Sequence, residues 1–156
     1  MNHFFKDQIA VCLVYLTILT IVSNCTGTRP NNLGIRGNGE LSSCPTTPNC
    51  VSSFTDPNDK EHFIQAIPYK QNLNNAVANL KDVLAKHPRA AIINESNQYI
   101  YAEFTTALMR YVDDVEFYFD DKKKMLHYRS ASRLGKSDFG VNRKRIENII
   151  IDLNWK

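Results

Sequence analysis

The sequence predicts an α+β domain, with an antiparallel sheet of four to five strands packed by two helices in the order β-α-β-β-β-β-α. Between Ala90 and Ala131, segments of alternating apolar and polar residues follow one another across short polar turns, which is typical of an antiparallel meander. Two further segments repeat their apolar residues at helical spacing. Such a sheet buries one face, which the helices can cover. A length of 156 residues allows one domain of this kind.

Two amphipathic helices are predicted, over residues 72–86 and 138–153. Asn72 can accept the unpaired backbone N–H groups at the start of the first helix, and Pro88 ends that helix. Ser137 or Asp138 can do the same for the second. The apolar residues at helical spacing are Leu73, Ala76, Val77, Leu80, Val83 and Leu84 in the first helix and Ile146, Ile149, Ile150 and Leu153 in the second.

Five extended segments are predicted around these helices. The first, residues 63–69, contains Pro68, which limits it to an edge or to a strand end. Asp113 and Asp114 are adjacent in a later strand, so they point to opposite faces of the sheet and cannot act together as a carboxylate pair. The remaining strands are predicted over residues 90–94, 99–106, 112–119 and 125–131.

The N-terminus has the pattern of a secretory signal, predicted over residues 1–24. Ile9 to Ser23 is a run of 15 uncharged residues, shorter than the roughly 20 that a spanning helix needs. The following VSNC resembles a bacterial lipoprotein signal, in which Cys25 would carry the lipid. An uncleaved anchor or plain secretion is the alternative. The expected location is the cell envelope, facing the periplasm, or the exterior if the chain is secreted.

The segment TGTRPNNLGIRGNGELSS, residues 26–43, is rich in Gly, Asn, Pro and Ser. This composition predicts a flexible tether over residues 25–41. The folded α+β domain is then expected over residues 42–156.

Cys44 and Cys50 are the two cysteines left after the signal and Cys25 are set aside. An even pair in an oxidising compartment predicts a disulfide, and two prolines stiffen the intervening loop. A reactive dithiol is the alternative, although redox motifs usually hold their cysteines two residues apart. No CxxC or HxxxH pattern predicts a metal site, and no cofactor is expected.

The charge is distributed unevenly along the chain. The formal net charge is +3, which does not by itself indicate a nucleic-acid partner. Residues 122–147 hold nine Lys or Arg and two Asp or Glu, a local excess of +7 that leaves −4 for the remainder. The chain therefore has a basic C-terminal third on a slightly acidic body.

The stretch YRSASRLGKSDFGVNRKRIENI, Tyr128 to Ile149, concentrates the candidate site residues. SASRLGKS has the spacing of a phosphate-binding loop, but Ser130 replaces its first Gly and the strands are antiparallel. His127 with Ser130, Ser132 or Ser137 would make a small envelope hydrolase if their side chains met at a pocket, but the sequence does not order them.

A structural network explains most of this stretch, with anion binding as the second interpretation. Arginines can pair with acids on the neighbouring strand, Arg143 and Glu147 have i,i+4 spacing, and a helix N-terminus beside guanidinium groups attracts anions. The candidate residues are Asp113, Asp114, Glu116, Arg129, Ser130, Arg133, Ser137, Asp138, Asn142, Arg143 and Arg145.

Three motifs, CPTTPNCVSS, YVDDVEFYFD and RSASRLGKSDFGVNRKRIE, together resemble the family catalogued as domain of unknown function 1499. The resemblance extends over roughly Leu41 to Leu153. It implies a bacterial envelope protein, often with a lipoprotein signal, and implies no activity, cofactor or catalytic residue. The expected function is a membrane-anchored, non-enzymatic module that binds an anionic ligand or an envelope protein, with the hydrolase as the alternative.

Overall fold

The α+β fold is confirmed by a computed structural model, which describes residues 26–155. The predicted signal peptide and Cys25 lie outside the described residues. Within the described part, six strands form one antiparallel sheet and two helices accompany it. The elements are β1 (Cys50–Ser52), β2 (Ile67–Pro68), α1 (Leu73–Ala85), β3 (Ala90–Ser96), β4 (Tyr99–Thr105), β5 (Val112–Asp120), β6 (Met125–Ser132) and α2 (Val141–Leu153).

The strands lie in the order β1-β6-β5-β4-β3, and β2 also pairs with β6. Cys50 of β1 lies opposite Ala131, and Ile67 of β2 lies opposite Leu126, so the two short strands share one edge of β6. The count is one strand higher than predicted because β1 has only three residues and follows directly on the Cys44–Cys50 loop. A segment this short has no readable alternation.

The helices pack on one face of the sheet, here called the helix side. On β5, Val115, Phe117 and Phe119 are fully buried on this side, because alternate residues of a strand share a face. Leu80 of α1 and Ile146 of α2 are equally buried against them. Removing these side chains from water is the main stabilising contribution to the fold.

Side-chain oxygens fix the start of each helix. Asn72 accepts a hydrogen bond from the Asn75 N–H at 2.9 Å. The Asp138 carboxylate accepts from the N–H groups of Gly140 at 3.0 Å and Asn142 at 2.7 Å. Gly140, with φ 77°, is the residue that precedes α2, so the helix begins three residues later than the sequence predicts. A left-handed residue cannot continue into the helix, which explains the delay.

The opposite face of the sheet, here called the outer face, is covered by residues 26–43. Leu41 is buried in a cluster with Tyr99 and Tyr101. The Gly34 N–H donates to Oε1 of Glu116 at 2.7 Å. This segment has no helix or strand, as its composition predicts, but it packs on the domain instead of forming the expected free tether. The aromatic rings and the carboxylate of the outer face supply the contacts that hold it.

The disulfide between Cys44 and Cys50 is present, with 5.6 Å between the two Cα atoms. Its position joins the loop before β1 to the edge strand itself. Within residues 26–155, neither helix is long and apolar enough to cross a membrane.

We expect the double variant Cys44→Ala with Cys50→Ala to lose about 2 kcal/mol of unfolding free energy, because the cross-link closes a short loop in the unfolded chain. Urea denaturation of the two proteins measures this difference. Reduction of the parent is the control, and it should abolish the difference. A difference that persists after reduction would show that the loss comes from packing at Cys50 and not from the cross-link.

Candidate functional site

Strand β6 divides the predicted site residues between the two faces of the sheet. Ser130 and Ser132 point to the helix side, whereas Arg129 points to the outer face together with Arg133 just beyond the strand. Asp113 and Asp114 of β5 separate in the same way. The candidate residues therefore form separate networks on opposite sides of one sheet.

The helix-side network consists of Asp113, Ser130, Asn142 and Arg145. Nη2 of Arg145 forms a salt bridge with Oδ2 of Asp113, and its Nη1 donates to Asn142 Oδ1 at 2.6 Å and to Ser130 Oγ at 3.0 Å. The Ser130 hydroxyl donates to Asn142 Oδ1 at 2.5 Å. These contacts join α2 to the two central strands.

Burial shows that the helix-side network is structural. Ser130 and Asn142 are fully buried, and the Asn142 amide also donates to the Asn49 carbonyl at 3.1 Å. A buried serine whose hydroxyl is held by two partners, here Asn142 and Arg145, is not an accessible nucleophile. The guanidinium of Arg145 pairs with the buried carboxylate of Asp113, so that carboxylate does not carry the free-energy cost of an unpaired buried charge.

The outer network consists of Tyr101, Glu103, Asp114 and Arg133, with Arg29 at its margin. Arg133 binds Asp114 with two nitrogens, at 3.0 Å from Nε to Oδ2 and 2.7 Å from Nη2 to Oδ1, and it also forms a salt bridge with Glu103. The Tyr101 hydroxyl donates to Asp114 Oδ1 at 2.5 Å. The hydrogen bonds to Asp114 raise the pKa of Arg133 above its usual value.

Glu116 lies at the centre of the outer face and is fully buried. Its carboxylate accepts from the Tyr99 hydroxyl at 2.8 Å and from the Gly34 N–H, while Nη1 of Arg129 lies 3.4 Å away. Burial raises the pKa of Glu116 above its usual value of 4.5, since these donors and the charge of Arg129 only partly offset the loss of water.

The pKa of Glu103 is shifted in the opposite direction from that of Glu116. Burial would raise the pKa of Glu103, but hydrogen bonds from Arg133 and Arg29 outweigh it and hold the pKa below 4.5. Arg29 belongs to the covering segment and lies 2.6 Å from Oε1 of Glu103. Sequence reasoning did not identify Arg29, Tyr99, Tyr101 or Glu103. The alternation YxYxE along β4 was the available signal, because it places the last three on one face.

The remaining candidates occupy the β6–α2 loop and the first turns of α2. Arg143 donates to the carbonyls of Lys60, Glu61 and Phe63. No ion pair joins it to Glu147 within the described part of the chain. Ser137 is exposed and its Oγ accepts a long hydrogen bond, 3.4 Å, from the Phe139 N–H.

The hydrolase alternative requires His127 beside Ser130, Ser132 or Ser137. His127 instead lies on the outer face, where it stacks on Phe54 at 4.3 Å between ring centroids. Its Nδ1 is 3.2 Å from the hydroxyl of Ser53, which is also bonded to the backbone of Tyr128. Burial lowers the pKa of His127. None of the three candidate serines lies on the same face of the sheet as His127 or contacts it.

Two depressions adjoin each other at the end of the sheet where β4 ends and α2 begins. The first, here called the basic cleft, has a volume of about 360 Å³ and is lined by His87, Arg89, Phe104, Lys144, Arg145 and Asn148, among others. The second, here called the apolar depression, has a volume of about 470 Å³, and its lining includes Tyr111, Leu134, Phe139 and Val141. Thr106 and Val141 line both.

Cations without partners distinguish the basic cleft from the networks. Among the described residues, the side chains of Arg89 and Lys144 have no hydrogen-bond or ion-pair partner, and no carboxylate lines the cleft. Arg145 reaches the cleft with its guanidinium 4.9 Å from the centre of the Phe104 ring, held in place by Asp113. The described residues contain no group of His, Cys, Asp and Glu side chains suited to a metal ion.

The geometry defines an α+β domain whose antiparallel sheet has helices on one face and an irregular cover on the other, with paired charges buried on both. The chain belongs to the family described as Protein of unknown function (DUF1499), which it matches over residues 40–153, and the resemblance of the three motifs is thereby confirmed. A comparison with curated proteins found no match.

We expect Arg145→Ala to destabilise the protein by about 3 kcal/mol or more, because Asp113 is then buried without its partner. Thermal or urea unfolding measures the change. Lys144→Ala is the matched control on the next residue, where an exposed side chain without a partner should cost within about 0.5 kcal/mol. Equal effects of the two variants would contradict the structural role of the helix-side network.

We expect Glu116→Gln to gain stability relative to the parent as the pH rises above the usual carboxyl pKa of 4.5. The folded protein binds the Glu116 proton more tightly than the unfolded chain, so this group's contribution is present below its usual pKa of 4.5 and is lost as the pH rises through the raised value. Urea unfolding at several pH values gives the difference between variant and parent.

Glu103→Gln supplies the opposite control. Because the pKa of Glu103 is lowered in the folded protein, this carboxylate stabilises the parent at pH values above 4.5, and that contribution is lost as the pH falls. The Glu103→Gln variant lacks the contribution, so its stability relative to the parent should fall as the pH rises. Difference curves with the same slope for both variants would refute the assigned directions.

Proposed function

We propose that this protein is an exported, membrane-attached and non-enzymatic module that binds an anionic ligand in the basic cleft. The observation that carries the proposal is the pair of unpartnered cations, Arg89 and Lys144, in a cleft without carboxylates. Most other arginines near α2 are already occupied by acids or carbonyls of the protein. The cleft therefore holds unpaired positive charge that a ligand can neutralise.

The cleft combines one fixed donor with two adaptable ones. Arg145 is fixed by Asp113, Ser130 and Asn142 and lies over a ring. Arg89 and Lys144 are exposed and can adjust to the ligand. A guanidinium presents planar N–H donors to phosphate or carboxylate, and an ammonium adds a compact charge. Phosphate and carboxylate groups are thus the chemistry that fits.

The lining favours binding over catalysis. Its described residues include no Ser, Cys, Asp or Glu, so they offer neither a serine or thiol nucleophile nor a carboxylate base, and its hydroxyls belong to Thr105 and Thr106. The imidazole of His87 also lines the cleft; its Nε2 lies 3.7 Å from the Asp152 carboxylate, and its ring packs edge-on against Phe104. This lining supports binding as the proposed role of the cleft.

Attachment to the cell-envelope membrane is supported by the sequence before the described residues. The uncharged run Ile9–Ser23 and the following Cys25 match an export signal with a site for lipid, or an uncleaved anchor. An exported domain in the envelope meets phosphate-bearing lipid head groups, sugar acids and peptide carboxylates. Each carries the type of charge that the basic cleft can bind.

We expect glycerol 3-phosphate, as a soluble phosphate probe, to perturb the backbone amide signal of Asn148 in an NMR titration. Arg89→Gln and Lys144→Gln should each weaken its binding about tenfold, the effect of losing one charge-assisted hydrogen bond. Lys122→Gln, at an exposed lysine on the β5–β6 turn at the other end of the sheet, is the matched control and should bind as the parent does. Binding that is absent, or unaltered in both cleft variants, would refute the proposal.

A further inference from the structure

Exposed apolar side chains are concentrated at the end of the sheet beside the apolar depression. Leu108 and Phe139 are 87% and 97% exposed, although a soluble surface gains nothing from them. They belong to the β4–β5 loop, residues 106–111, and the β6–α2 loop, residues 133–140, here called the two end loops. The other exposed large hydrophobic residues of the end loops and the adjoining start of α2 are Met109, Tyr111, Leu134 and Val141.

The two end loops form one surface. Tyr111 from the first loop and Leu134 and Phe139 from the second line the same depression. Each loop also holds one non-glycine residue in the left-handed region, Arg110 at φ 56° and Phe139 at φ 54°. Backbone conformations of this kind are unfavourable for side-chain-bearing residues and concentrate at functional positions.

The N-terminal segment leads to this same surface. Gly27 lies so close to the β6–α2 loop that a methyl group there would be 2.9 Å from Cβ of Arg133 and 3.1 Å from Cγ of Leu134. Cys25 is two residues earlier in the sequence, and two residues of chain span at most about 7 Å. A lipid carried by Cys25 would therefore be attached within about 7 Å of Gly27, beside the end loops.

The end loops present unpaired positive charges to solvent, whereas their carboxylate is occupied by backbone N–H groups. Arg110 and Lys136 are exposed, and their side chains have no partner among the described residues. The one carboxylate in the loops, Asp138, is occupied by the N–H groups of Gly140 and Asn142. Apolar tips flanked by free cations match the boundary of a bilayer that carries anionic head groups.

We propose that the end loops dock directly on the surface of a lipid bilayer with anionic head groups. The side chains of Leu108, Leu134 and Phe139 enter the boundary between head groups and acyl chains, while Arg110 and Lys136 contact lipid phosphates. The domain then lies against the membrane to which its N-terminus is attached, with the basic cleft facing the head-group layer. Docking does not depend on ligand binding in the cleft.

A tryptophan introduced by Phe139→Trp tests this orientation in the full-length chain. The chain contains one tryptophan, Trp155, whose ring packs near Tyr69, and the Tyr69 hydroxyl donates to Asp121 at the opposite end of the sheet. The parent and the variant are reconstituted in phosphatidylcholine vesicles with and without phosphatidylglycerol. Lipids brominated near the glycerol end of the acyl chain then quench any indole within about 10 Å of the head-group boundary.

In vesicles with phosphatidylglycerol, we expect the variant to lose roughly half of its emission to brominated lipid, since one of its two indoles enters the boundary, and the parent to lose little. Ile151→Trp, at a 70% exposed position near the C-terminal end of α2, is the matched control and should behave as the parent. The additional substitutions Arg110→Glu and Lys136→Glu should remove the quenching of the Phe139→Trp protein.

Three outcomes would overturn the proposal. They are no quenching of the Phe139→Trp protein while it remains bound to vesicles, equal quenching of the Ile151→Trp control, and quenching that is indifferent to both the charge reversals and phosphatidylglycerol. The first would leave the end loops as a surface for a protein partner. Since glycerol 3-phosphate binding is measured without vesicles, failure of docking and failure of the basic cleft give different results.

Discussion

The fold depends on pairing the carboxylates of β5, the central strand. Asp113, Asp114 and Glu116 are all buried, and they point to both faces of the sheet. A buried carboxylate without a partner costs several kcal/mol, so each face must bring a cation or other donors to this strand. The helix side does so with Arg145 of α2, and the outer face with Arg133 at the end of β6. The position of α2 and the path of the chain after β6 follow from this requirement.

Local patterns in the sequence were sufficient for the parts of the fold that one element determines. Helical spacing predicted α1 and α2, and strand alternation predicted that Asp113 and Asp114 lie on opposite faces. The covering segment was not predictable in this way, since residues 26–43 have no periodicity and their contacts are remote in sequence. The bond from Gly34 to Glu116 spans 82 positions, and nothing local marks either partner. Composition indicates that a segment is irregular, but it does not indicate whether that segment packs on a face of the domain.

The difference between local patterns and contacts remote in sequence also applies to the candidate site residues. The sequence concentrates arginines between residues 129 and 145, which makes that stretch the natural candidate for an anion. In the structure, Arg129, Arg133 and Arg145 face acids of the protein itself, and Arg143 faces carbonyls. The unpaired cations of the proposed anion site, Arg89 and Lys144, come from different elements. Arg89 lies outside the three motifs, and nothing in the sequence distinguishes Lys144 from the paired arginines on either side of it. Counting charges along the chain could not separate neutralised cations from available ones, because pairing is decided by the faces of strands brought together in the sheet.

The buried networks also explain why the side chain of Phe139 in the β6–α2 loop remains exposed to solvent. The loop begins at Arg133, which is bound to Asp114. Just beyond its end, Asn142 in the first turn of α2 is held by Ser132 and the Asn49 carbonyl. Between these fixed points, Asp138 holds the Gly140 and Asn142 N–H groups, which leaves Phe139 in its left-handed conformation with its ring outside. A loop fixed at both ends loses little conformational entropy when its tip is bound, and this lowers the cost of association. Charge pairing in the core thus fixes an exposed apolar tip in the conformation that the proposed membrane docking requires.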